Sequence, residues 1–141
     1  MQPSVIAAAT TLVVKVGSAI LTDADGGVRD QWLASLCDDL SGLRAEGRDV
    51  VVVTSGAIAL GRKRLGMKGA LRLDEKQATS AAGQAALVAA WQRAFDRHGV
   101  VVAQILLTLE DTENRRRYLN ARATFSTLLD VVDSQTTCLP V

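Results

Sequence analysis

A chain of 141 residues, 48% hydrophobic and 22% charged, has the size and balance of one folded domain. Sixteen Lys and Arg against fifteen Asp and Glu leave a net charge of +1, too little for the basic field that nucleic-acid binding draws on. No run approaches the roughly 18 apolar residues of a membrane span. Met1 to Thr10 lacks a signal peptide's positive start and uninterrupted apolar core, and Cys37 and Cys138 are too isolated for a disulfide framework or metal site. The expected setting is a reducing cytoplasm and the expected partner a small charged metabolite.

The first element is a β-branched strand, Leu12 to Val16, running into the small-residue turn Gly17-Ser18. After a polar loop over 22–27, Asp30 opens a helix with Leu33, Leu36, Leu40 and Leu43 at helical spacing, ended by Gly47. A second strand, Val50 to Val53, runs into Thr54-Ser55-Gly56. Strand, helix and strand in so short a stretch predict a βαβ crossover and a parallel pair. Ala57 to Leu65 reads as helix, Gly66 to Gly69 as a break, and Glu75 to Arg97 as a longer helix opened by Asp74. Its alanines allow neighbours to approach closely. Gly99 precedes a third strand, Val100 to Leu107, a polar acidic loop follows from Thr108 to Asn114, and Arg115 to Leu129 resumes helical spacing. No repeat of 20–50 residues and no low-complexity linker divides the chain.

Both first strands end at small-residue elbows, and in an open α/β sheet ligands bind at the carboxyl ends of parallel strands. Lys15 adds an ammonium to an otherwise apolar strand, a costly placement unless an anion or a protein partner meets it. Phosphoryl transfer needs charge neutralisation and close backbone approach, which Lys15, Gly17 and Ser18 offer from one elbow and Ser55, Gly56 and Ala57 from the other. Taken singly, Lys15 reads equally as a snorkelling side chain and the two glycines as turn residues. There is no Walker A string and no GxGxxG. Arg62-Lys63-Arg64 and Arg115-Arg116-Arg117 read first as solvated faces paired with Glu110, Asp111 or Glu113, and phosphate binding there as the lesser alternative. His98 reads as a helix-end cation, Cys37 as a packed thiol, and Trp32 and Trp91 as packing residues.

The strings VVKVGS at 13–18, VTSGAIALG at 53–61, Ala82-Gly83-Gln84 and RYLNAR at 117–122 together resemble the glutamate 5-kinases of the amino acid kinase family, in order and spacing from about Leu12 to Asp130. The resemblance implies a three-layer αβα sandwich with a mainly parallel sheet. It further implies transfer of the γ-phosphoryl group of ATP, with Mg²⁺, to the side-chain carboxylate of L-glutamate, the first step of proline synthesis. Lys15 then bridges the ATP phosphates, Gly17 and Ser18 form the phosphate-facing turn, and Ser55, Gly56 and Ala57 hold glutamate. Proline as feedback inhibitor and a homo-oligomer are further implications; nucleic acid and membrane are not.

Residues 131–141 match nothing in that pattern. The expected organisation is a lead over 1–10, the acceptor-side part of a kinase domain over 11–130, and a divergent tail over 131–141, without the Asn-Glu-Asn-Asp motif or the nucleotide-binding half. Asp133 is not a substitute for the missing aspartate. Such an incomplete sandwich is expected to leave a sheet edge and an apolar helix face uncovered, to be weakly stable and to turn over little alone. The alternatives are a non-catalytic glutamate- or proline-binding or subunit-pairing module, and another amino acid kinase acting on aspartate or acetylglutamate, which the SGAIALG string disfavours.

Overall fold

The computed structural model describes residues 5–131 and 136–140. In chain order the elements are α1 (Val5–Ala8), β1 (Thr11–Val16), α2 (Ser18–Leu21), α3 (Asp30–Ala45), β2 (Asp49–Thr54), α4 (Ala57–Leu65), α5 (Leu73–Asp96), β3 (Val101–Ile105), α6 (Leu109–Glu113), α7 (Arg115–Val131) and β4 (Thr136–Pro140). The four strands form one parallel sheet in the order β1-β2-β4-β3. β1 and β2 pair from Thr11 opposite Asp49 to Val16 opposite Thr54, so their two elbows leave the sheet side by side.

The connections β1 to β2 and β2 to β3 advance across the sheet in one direction, and β3 to β4 turns back. Right-handed crossovers therefore put α3 and α5 on one face and α7 on the other, a mainly parallel αβα arrangement as expected. The first face holds the core: Val16, Val50 and Val52 from the sheet, Leu33, Cys37 and Leu40 from α3, and Leu87, Trp91 and Phe95 from α5. Trp91 and Phe95, one helical turn apart, are fully buried with ring centroids 6.2 Å apart and planes 22° off parallel. The opposite face is thinly covered. Val13 stays 66% and Val101 53% exposed, and on α7 Tyr118 and Leu119 are also exposed. An uncovered apolar face is thus a feature of the described residues.

The alanine-rich stretch packs as the sequence suggests. α4 and α5 cross at Gly61 and Gly83, where added Cβ atoms would fall 1.7 Å from the Thr79 carbonyl oxygen and 1.8 Å from that of Ala57. Only hydrogen fits there.

Helix starts differ slightly from expectation. Asp30 is the first residue of α3, behind Arg29, and sits where a carboxylate favours the positive helix end. Leu73, not Asp74, begins α5, and the Arg72 amide donates to Glu75 Oε2 at 2.8 Å. The stretch after β3 is not only loop: it forms the short helix α6, held by the Thr108 amide and hydroxyl donating to Asp111 Oδ2, each at 2.7 Å. Part of the stretch expected to be a divergent tail forms β4, inserted between β2 and β3. Residues 1–4 of the lead, and Asp133 with 132, 134, 135 and 141 of the tail, lie outside the described residues.

Candidate functional site

The two elbows are bonded to each other. The Ser55 amide donates to the Val16 carbonyl at 3.1 Å, and the Ser18 amide donates to Ser55 Oγ at 3.0 Å. This ties the turn after β1 to the turn after β2 at the carboxyl edge of the sheet. It also commits the Ser18 amide, leaving its hydroxyl for any ligand, while the Ser55 hydroxyl still has its proton to donate.

Gly56 begins α4 with φ 130° and ψ −5°, a backbone setting that L side chains rarely adopt. A Cβ there would also meet Leu21 Cδ2 at 3.3 Å. Gly17 is different. Its φ of −77° and ψ of 154° suit any residue, and a Cβ would meet nothing within 4 Å. The fold itself makes no demand for glycine at 17, so the space beside it is free for a ligand's approach.

Above the elbows lies a cavity of about 390 Å³, walled by Ser18, Ser55, Gly56 and Ala57, by Ile58, Ala59 and Arg62 of α4, and by Ser80 of α5. Four of the expected site residues meet there. Ser80 carries no ligand signal in the sequence, and Arg62 carries one only within its basic triplet, where phosphate binding is the lesser alternative to a solvated face. Ser80 lies three residues before Gly83, so the helix crossing carries it to the cavity, a placement that needs the α4–α5 geometry to be known. Beside this cavity, sharing Ala59 and Arg62, a second space of about 530 Å³ opens between the 22–26 loop and the end of α4. Asp23 braces that loop by accepting from the amides of Asp25 at 3.0 Å and Gly27 at 2.7 Å.

Lys15 does not line either cavity. It is exposed, pairs across to Val53, and lies on the sheet face away from the core. The desolvation penalty that made it conspicuous is not incurred among the described residues, where β1 is the outermost strand of the sheet and Val13, on the same face, is exposed. Its position one residue before Val16 still puts it at the carboxyl end of β1.

Of the basic runs, Arg117 pairs with Glu110 at 2.8 Å and Asp111 at 3.7 Å, as a solvated face should. Lys63 and Arg64 are exposed, while Arg62 is partly buried. His98 Nε2 meets Asp38 Oδ1 at 2.8 Å, and Arg97 meets the same oxygen at 2.5 Å, clamping the end of α5 to α3.

Cys37 is a packed thiol, with burial the main cause pushing its pKa from 9.0 up to about 12. Above pH 9 the unfolded thiol ionises while the folded one keeps its proton, so stability present below pH 9 is lost as pH rises towards 12. Urea unfolding of the native chain should show that decline, and Cys37→Ala, though less stable throughout for its cavity, should show a shallower one. Equal slopes would remove the thiol as the cause.

The chain belongs to the amino acid kinase family, whose description it matches over residues 10–136. It is 57% identical over 124 residues to the glutamate 5-kinase of Caulobacter vibrioides (strain NA1000 / CB15N), which covers 86% of this chain and 33% of that relative. To the glutamate 5-kinase of Agrobacterium fabrum it is 54% identical over 121 residues, 85% of this chain and 31% of the relative. With that of Paramagnetospirillum magneticum it shares 54% over 127 residues, 89% and 34% respectively. The chain spans about a third of the length of these curated relatives. No described helix is long and apolar enough to cross a membrane.

Proposed function

We propose that residues 11–130 supply the acceptor side of a glutamate 5-kinase, which moves the γ-phosphoryl group of ATP onto the side-chain carboxylate of L-glutamate. A carboxylate oxygen forms the new bond to phosphorus as the bond to the ADP oxygen breaks, giving an acyl phosphate and ADP. The observation that carries this is the pair of hydrogen bonds joining the Ser18 and Ser55 elbows beside one cavity.

In this assignment Ser55, Gly56 and Ala57 hold glutamate: the Ser55 hydroxyl donates to the acceptor, and Gly56 brings the backbone close at the start of α4. Gly17 and the Ser18 hydroxyl face the transferred phosphate, and Lys15 supplies positive charge to it. Mg²⁺, which is commonly held by one or two carboxylates together with substrate phosphates, would come with the nucleotide and neutralise charge on its phosphates. Proline competing for the glutamate cavity and pairing of copies into a homo-oligomer belong to the same proposal, as does a cytoplasmic setting.

Titration calorimetry of this chain with L-glutamate, run beside an assay of glutamate-dependent ADP formation, tests the assignment. Saturable glutamate binding is expected, with little or no turnover. Ser55→Ala should weaken that binding about tenfold, the loss of one hydrogen bond to a charged group. Absence of binding by the native chain would refute the acceptor site; unchanged affinity in Ser55→Ala would remove the serine from it.

A further inference from the structure

We infer that Arg62 is the specificity-determining residue of this cavity, reading a second carboxylate on the acceptor at the end remote from the reacting one. The inference rests on the assignment of the cavity to glutamate. Among the described residues, Arg62 is the one charged side chain walling the Ser18–Ser55 cavity, whose other walls are hydroxyls, backbone and small apolar groups. An anion with one carboxylate at the elbows meets a countercharge there.

The setting of Arg62 differs from that of its neighbours. Lys63 and Arg64 are exposed, whereas Arg62 is partly withdrawn from solvent. Its guanidinium donates to the Gly69 carbonyl at 2.6 Å, which pins the side chain against the α4–α5 connection. No ion pair to Arg62 occurs among the described residues. The fork has five N–H donors, and one fixed hydrogen bond leaves others for a bidentate grip on a carboxylate. A fork already immobilised loses less freedom on binding than a free one.

Both ends face one cavity. Ser55 and Gly56 line it at the start of α4 and Arg62 lines it from the helix's second turn, so the long arginine side chain rather than the helix axis sets the span between them. A dicarboxylate with its reacting end at Ser55 and Gly56 would turn its other end toward Arg62. A monocarboxylate would leave the guanidinium unanswered, and a Lys at this position, a single point charge, would grip less specifically.

The test compares L-glutamate with 4-aminobutyrate, which keeps the amine and the reacting carboxylate but lacks the α-carboxylate. Calorimetry on the full chain should show glutamate bound at least tenfold more tightly than 4-aminobutyrate. Arg62→Gln should cut glutamate affinity about tenfold and leave 4-aminobutyrate unchanged, abolishing the preference, and Arg62→Lys should restore part of it. A preference undiminished in Arg62→Gln would overturn the inference while leaving the acceptor cavity standing. So would an equal loss of both ligands, the signature of a merely structural anchor to Gly69. If the native chain binds neither ligand, the assignment of the cavity falls and Arg62's role with it.

Discussion

Gly61→Ala and Gly83→Ala should each lower the stability of the chain by about 3 kcal/mol or more, at the upper end of what overpacking costs. An added methyl at either position lands under 2 Å from a backbone carbonyl of the facing helix. Backbone cannot rotate away as a side chain end can, so α4 and α5 must separate. Separation also strips cover from the buried Ala57 and Leu60 on α4 and Leu87 on α5. Alanine favours helix over glycine by about 1 kcal/mol, which offsets only part of the penalty. Gly42 provides the contrast. It lies within α3 with nothing within 4 Å of an added Cβ, so Gly42→Ala should raise stability by up to about 1 kcal/mol. Urea denaturation followed by far-UV circular dichroism measures all three. Gly61→Ala as stable as Gly42→Ala would mean that the close crossing does not exist in solution. Because Arg62 and Ser80 reach their cavity from either side of this crossing, the same two variants should also lose glutamate binding.

That crossing marks the boundary of what the chain discloses locally. α4 occupies the nine residues that its pattern predicts, Ala57 to Leu65, because Gly56 and Gly66 punctuate it at both ends. β1 and β2 extend their β-branched runs by a single residue at one or both ends. These elements are specified by neighbouring residues. β4 is not: Thr136 to Pro140 acquires its meaning only from β2 and β3, far away in sequence, and a short polar-apolar stretch carries no mark of the gap it fills. α6 was closer to legible, since Thr108 and Asp111 have capping-box spacing, but one turn leaves too little periodicity to outweigh its acidic, loop-like composition.

The site divides in the same way. Ser18, Ser55, Gly56 and Ala57 could be found because strand ends and turn residues announce an elbow, and parallel pairing brings neighbouring elbows together. Arg62 was hidden inside a basic triplet. Successive helical residues point in different directions, and which of the three turns inward depends on where α5 crosses. Lys15 stands out in the sequence as an ammonium in an apolar strand, and among the described residues it lies exposed on the outermost strand, where burial costs it nothing.

That exposure makes Lys15 the sharpest probe of phosphoryl transfer. An exposed side chain on an edge strand, making no ion pair among the described residues, should change stability by no more than about 0.5 kcal/mol when truncated. Any large effect of Lys15→Ala must then come from the reaction. In a chimera joining residues 1–130 to the remaining length of the Caulobacter vibrioides relative, Lys15→Ala should lower kcat by about 100- to 1000-fold, the range for removing one group that stabilises transition-state charge. The KM for glutamate should hardly move, because the acceptor is held at Ser55 and not at Lys15. Lys15→Arg keeps the charge but replaces a compact ammonium with a wider fork, and should recover only part of the rate. A lysine serving only to keep the edge strand soluble would give the opposite pattern: unchanged kcat in Lys15→Ala, with more aggregation of the purified protein. The ratio of kcat between the native chimera and Lys15→Ala therefore decides whether the end of β1 is part of the phosphate site or only the border of the sheet.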